Sequence, residues 1–122
     1  FTGRGGVRAM DRVLSMLGLA ARGRNVVSGE FQTESAVKTG QAMVVLVAED
    51  ASKNTKKLFL DKCSFYEVPV YIYGTKESLG RAIGRQERSS VGVTNEGLAE
   101  SVKKNLEAMS IKQADKSVLS EK

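Results

Sequence analysis

MVVLVAEDASKNTKKLFL, residues 43–60, decides the fold. Its first six residues are apolar without a break. A run of that length, stopped by acids, reads as a strand covered on both faces. Glu49 and Asp50 follow it. A helix then runs to about Cys63, with Asp50 or Ser52 as its cap. Leu58, Leu60 and Cys63 form its apolar face, with Phe59 nearby. Lys53, Lys56 and Lys57 recur at steps of three and four and share a second face.

A doubly covered strand needs neighbours, and the flanking sequence supplies them. Upstream, a helix from Asp11 places Val13, Leu14, Leu17, Ala20 and Ala21 in phase and stops near Gly23. Asn25-Val26-Val27 is a very short strand. Ser28 then caps a helix from Gly29 to about Thr39, with Phe31, Ser35, Ala36 and Val37 towards the core and Gly40 as its stop. Downstream, Val68–Tyr73 is a strand whose Pro69 fits its first turn or an edge. Thr75 caps a short helix through Leu79 and Ile83 that Gly84 closes. RQERSS, residues 85–90, is a polar loop, and Ser90–Thr94 a short strand. Asn95-Glu96 opens a last helix carrying Leu98, Val102, Leu106 and Met109. Alternating helices and strands favour a three-layer α/β/α sandwich, a small mixed sheet with helices on both faces. Residues 1–9 read as a flexible leader, open to being an expression remnant, 10–109 as a single domain, and 110–122 as a frayed or disordered tail.

The 122 residues suit one domain, and 41% hydrophobic with 27% charged residues is ordinary globular composition. No apolar run is long enough for a membrane helix, and no secretory signal is visible. The lone Cys63 excludes an intrachain disulfide and suits a reducing compartment, so a cytoplasmic setting is expected. A net charge of +5 tilts the balance towards a polyanionic partner, although Arg4 and Arg8 of the leader contribute part of it. Histidine is absent, which removes the commonest general base and metal ligand. The usual catalytic kit is therefore missing, which leaves an enzyme open but gives no catalytic residue, metal ligand, cofactor or small-molecule substrate to name.

Three segments could carry function. ARGRNVVSGEFQTE, 21–34, leads Arg22 and Arg24 into a Ser-Gly helix start. Free amides and the macrodipole there attract anions, and Gly29 permits close approach. Gln32 could reach a base edge. RQERSS puts Arg85 and Arg88 on a loop, with Arg81 one turn earlier. The lysines after Glu49-Asp50 stand at the C-terminal end of a strand, where α/β sheets usually seat ligands. From the residues alone, capped or solvated surface is the leading reading of each segment. Glu49-Asp50 is no dyad, because adjacent residues leaving a strand diverge. Cys63, in the apolar phase of its helix, reads as a buried thiol.

LGLAARGRNVVSGE (17–30), VVLVAEDASKNTKK (44–57), DKCSFYEVPV (61–70) and TKESLGRAIGR (75–85), in this order, resemble the bacterial YlxQ proteins. These form part of the kink-turn RNA-binding ribosomal protein superfamily that includes the archaeal "seven-Ae" and eukaryotic "thirty-e" proteins. The resemblance spans about residues 10–108 and implies the same α/β/α sandwich. It also implies an RNA grip made of a Gly-X-Asn-Glu helix start and the loop after a Leu-Gly-Arg-Ala-X-Gly helix. Here the first falls on Gly29, Glu30, Phe31 and Gln32. Phe31 stands where the family has Asn, Gln32 where it has Glu, Ser35 where it has Lys, and Thr39 where it has Arg. Gln32 could hydrogen-bond in place of the Glu, whereas Phe31 could only stack on a base. The second element falls on Arg85, Gln86, Glu87, Arg88 and Ser89, with Lys76 as a further phosphate-contacting lysine. Arg24, Ser28 and Lys53 complete the expected RNA-binding set. Glu49 and Asp50 would brace it.

The resemblance thus implies a non-catalytic, monomeric, cytoplasmic protein with no membrane partner. Its partner would be structured, sharply bent RNA, ribosomal RNA or a ribonucleoprotein particle. The rival reading is a protein-interaction module on the same fold with weak RNA binding. An RNA-processing enzyme is a third reading, with only Glu49 and Asp50 to stand on.

Overall fold

In a computed structural model, residues 4–115 are described, with side chains from Arg12 onward. Among them the chain forms α1 (Arg4–Arg22), β1 (Val26–Ser28), α2 (Glu30–Lys38), β2 (Val44–Val47), α3 (Lys53–Tyr66), β3 (Val70–Ile72), α4 (Lys76–Ala82), β4 (Ser90–Val93) and α5 (Glu96–Ala108). The sheet order is β1-β4-β2-β3. β3 runs parallel to β2, whereas β4 runs antiparallel to both β1 and β2. α2 and α3 pack together on one face, and α1 gathers α4 and α5 on the other. This is the mixed, doubly covered sheet expected from the sequence.

The unbroken apolar run explains why β2 sits inside: every residue from Val44 to Ala48 is fully buried. Leu17, Phe59, Leu60, Leu79 and Leu106 close over it from the helices, and Tyr71 is buried beside it in β3. In β4, Gly92 lets α2 lie close. A Cβ there would stand 3.2 Å from Val27 Cγ2 and 3.4 Å from Thr33 Cγ2. Local chemistry fixes the helix starts. Ser52 Oγ accepts from the Thr55 N–H at 3.1 Å, Asn95 Oδ1 accepts from Leu98 at 2.9 Å, and Thr75 and Ser78 form a reciprocal capping box.

Four expectations change. α1 begins at Arg4, ahead of Asp11, so the expected leader is helical from that point; Arg8, Ala9 and Met10 are good helix formers that need no apolar stripe to extend a turn. Residues 110–115 are anchored rather than frayed. Ile111 packs on the core, and the Ala114 N–H donates to Val70 O at 2.7 Å on the outer edge of β3. Lost periodicity signalled the end of a helix, not the end of packing. Residues 1–3 and 116–122 lie outside the described residues. Phe31 and Ser35 do not face the core. The buried stripe of α2 is Thr33, Ala36 and Val37, and Phe31, one position out of phase with it, is 81% exposed. Finally, Ser28 ends β1 instead of capping α2; the cap position belongs to Gly29.

Phe59→Ala removes a fully buried ring at the α3–sheet contact. It should lower unfolding free energy by about 3–5 kcal/mol in a urea titration, the usual cost of emptying a core position of this size.

Candidate functional site

Strand direction brings the candidate segments together. β1, β2 and β3 all leave the sheet at the end where β4 enters. The register sets Ser28 beside Val91, Val47 beside Ser90, and Val47 beside Ile72. Gly29, Ser89, Ala48–Asp50 and Gly74–Lys76 therefore meet on one rim. Backbone bonds tie them across it. Gly29 N–H donates to Ser90 O at 3.1 Å, Ala48 to Ser89 O at 2.9 Å, Glu49 to Gly74 O at 2.7 Å, and Arg88 to Lys76 O at 3.0 Å.

The acids at the end of β2 act within this rim. Asp50 Oδ1 accepts from the Lys76 N–H at 2.9 Å, so it caps α4, while Ser52 caps α3. Asp50 thus holds in place the helix start that presents Lys76. Glu49 is exposed, and among the described residues no ion pair joins it to Arg88. Lys53 stands exposed at the start of α3, near the same rim.

α2 opens differently from its neighbours. Gly29 occupies the cap with φ 89° and ψ 154° and offers no side chain to the amides behind it. The space where a Cβ would stand is empty. Glu30 is steadied from α3, its Oε1 accepting from Thr55 Oγ1 at 3.5 Å. Gln32 is exposed on the side facing β1, and Phe31 and Ser35 lie on the outer flank, where they line a shallow depression with Lys38 and Thr39.

The connector 85–89 is laid against α4. A Cβ on Gly80 would come within 1.9 Å of Gln86 O, so only glycine admits the loop at this height. Arg85 N–H donates to Gly80 O at 2.8 Å. Arg88 is oriented by two bonds, Nε to Ser28 Oγ at 3.1 Å and Nη1 to Glu87 O at 2.9 Å. Arg81, by contrast, is engaged with Glu77. A hollow of about 390 Å³ opens between β1 and the connector. Arg24, Arg85, Arg88, Ser28, Gln32 and Ile83 line it with Ala21, Val26 and Val27. Arg24 precedes β1, at the far end of that strand, yet lines the hollow too.

The rim therefore unites Ser28, Gly29, Glu30, Gln32, Lys53, Lys76 and residues 85–89. Arg24 joins from the side, and Phe31 and Ser35 sit just outside on α2. Gly80, Asp50's bond to α4 and the Thr55–Glu30 link escaped sequence reasoning. For Gly80 a signal existed: a glycine in a helix interior asks for a close neighbour. No group of acids, cysteine or histidine able to hold a metal occurs among the described residues. Burial pushes the Cys63 thiol up to about 12, well out of reach as a nucleophile. No described helix is long and apolar enough to cross a membrane.

A family model for "Ribosomal protein L7Ae/L30e/S12e/Gadd45 family" matches residues 11–104. "RNA-binding protein YlxQ" of Bacillus subtilis (strain 168) is 45% identical over 84 residues, spanning 69% of this chain and 84% of that protein. "RNA-binding protein YlxQ" of Enterococcus faecium is 34% identical over 97 residues, spanning 80% and 93%. Among solved structures, a protein of unknown function from Bacillus halodurans C superposes with TM-score 0.76 at 43% identity, covering 79% of this chain and 97% of that one. The Giardia lamblia 15.5kD RNA binding protein superposes with TM-score 0.70 at 22% identity, covering 84% and 88%, which is a likeness of fold.

Gly80→Ala should force the connector off α4. We expect the amides of Arg85 and Arg88 to lose protection in hydrogen exchange, with a global loss of about 1–3 kcal/mol, the range for an overpacked site.

Proposed function

The chain belongs to the ribosomal protein L7Ae/L30e/S12e/Gadd45 family, beside the bacterial YlxQ proteins, and on that footing we propose that it binds structured RNA with a sharp internal bend, of the kink-turn kind. The observation that carries this reading is the rim itself. An uncapped glycine helix start stands hydrogen-bonded to the strand that the arginine-bearing connector feeds. Bare amides and guanidiniums face the same space, which is what a folded ribose-phosphate backbone needs.

Within this reading the parts differ in task. Lys53, Lys76, Arg85 and Arg88 meet phosphates and supply affinity and salt dependence. Gly29 lets the strand approach the α2 backbone, and Gln32 offers an amide to a base edge. Phe31, mostly exposed, stacks on an unpaired base where other family members carry Asn. Glu30, Gln86, Glu87 and Ser89 shape the surface around these groups. Ser35 leaves vacant the place of a family lysine, so affinity for a kink-turn should sit below that of lysine-bearing relatives. Ribosomal RNA or a ribonucleoprotein particle in the cytoplasm is the proposed setting, with the chain acting as a monomer and without catalysis.

The exposed Phe31 and Phe65 favour a second reading, a protein-interaction module with residual RNA affinity. Titrating a kink-turn RNA and a mismatched duplex at moderate salt separates the two. The RNA reading expects clear preference for the kink-turn. Equal weak binding to both would favour the module. In an Arg85→Ala/Arg88→Ala double variant the log–log salt slope should fall by about two units, one per lost phosphate contact, with circular dichroism confirming that the fold persists. An unchanged slope removes the connector from the interface.

A further inference from the structure

The hollow between β1 and the connector differs in kind from the open rim. It is concave, and Arg24, Arg85 and Arg88 come to it from separate parts of the chain. None of its lining residues is acidic. Arg88 is already turned in by its bond to Ser28, so little ordering is left to do when an anion arrives. Ile83, Val26 and Val27 give it an apolar side, and Gln32 stands at its mouth. Its volume of about 390 Å³ exceeds what one phosphate needs and falls at the small end of ligand cavities.

We infer that this hollow is a nucleotide subsite of its own. It takes one unit of a nucleic-acid strand, the phosphodiester on the three guanidiniums and the sugar and base against the apolar side. The inference rests on the RNA reading above and adds a place and an occupant to it. Three guanidiniums around one concavity suit phosphate better than carboxylate, because tetrahedral phosphate oxygens take donors from several directions whereas a planar carboxylate offers one edge. The spare volume, with a few apolar contacts from Val26, Val27 and Ile83, favours a phosphate that carries a nucleoside over a free ion.

Arg24 gives a variant that folding artefacts cannot imitate. α1 closes with Arg24 N–H donating to Ala21 O at 3.1 Å and Asn25 N–H to Ala20 O at 2.7 Å. The left-handed position of that closure is Arg24 itself, φ 61°. Glycine suits this conformation better than any side chain. Arg24→Gly should therefore raise the melting temperature while it weakens binding.

The test titrates a dinucleoside monophosphate and inorganic phosphate, following the side-chain Nε–H signals of Arg24, Arg85 and Arg88 by NMR. The dinucleoside monophosphate should move all three at lower concentration than inorganic phosphate does, leaving Arg12 and Arg22 still. In Arg24→Gly its affinity should fall several-fold, and the salt slope for kink-turn RNA should drop by about one unit. Arg24→Lys should keep the slope but lose part of the affinity. Inorganic phosphate binding as well as the dinucleoside monophosphate would overturn the nucleotide assignment in favour of a free-anion site. Undiminished dinucleoside binding in Arg24→Gly would overturn the subsite outright, even with RNA binding intact. Failure of the wild-type chain to prefer kink-turn RNA, with the three arginines still responding, would sink the broader RNA reading and leave the subsite standing.

Discussion

β4 lies antiparallel between β1 and β2, and the rest of the molecule is arranged by that pairing. Had it run with its neighbours, the connector before it would open at the opposite end of the sheet. Because it runs against them, the residues that feed it emerge where β1, β2 and β3 let go. The Gly29–Ser90 bond then fixes the distance between a helix start and a cationic loop. That one strand direction turns segments far apart in sequence into a single surface.

The rim is rigid for ordinary reasons. The turns that cross it are joined by backbone and carboxylate acceptors, while the first amides of α2 stay without a side-chain cap. The acids at the end of β2 are part of this. Asp50 spends its charge on the first amide of α4, next to the lysine whose position it secures. An acid within a basic surface is therefore no contradiction, since it satisfies a helix end and leaves the cations to face outward. Gly80 does the corresponding steric work on the other side, by letting the connector lie down on α4.

Much of this was legible in the residues. The continuous run at 43–48 announced a strand buried on both faces, and glycines at 40 and 84 marked real turns with positive φ. The α/β/α order followed. What stayed hidden depends on contacts between distant residues. Phe31 looked like core because it is large and apolar, yet the helix phase was set by Thr33, Ala36 and Val37, smaller residues that fit against Gly92 and the sheet. Ser28 looked like a cap because its type and neighbour suit one, but pairing with Val91 drew it into β1 and left its hydroxyl for Arg88. The candidate residues were read as types in three separate segments. Arg24's access to the same hollow as Arg85 and Arg88 follows only from how β1 is placed.

The bond from Ala114 to Val70 gives the outer strand a blunt margin. β3 borders the sheet, and Pro69 just before it already lacks a donor. With Ala114 seated on its carbonyl and Ile111 pinned to the core, the margin offers few free ladder groups to another molecule. The few residues after α5 thus lie over this margin and take up a ladder acceptor that a neighbouring strand would otherwise seek.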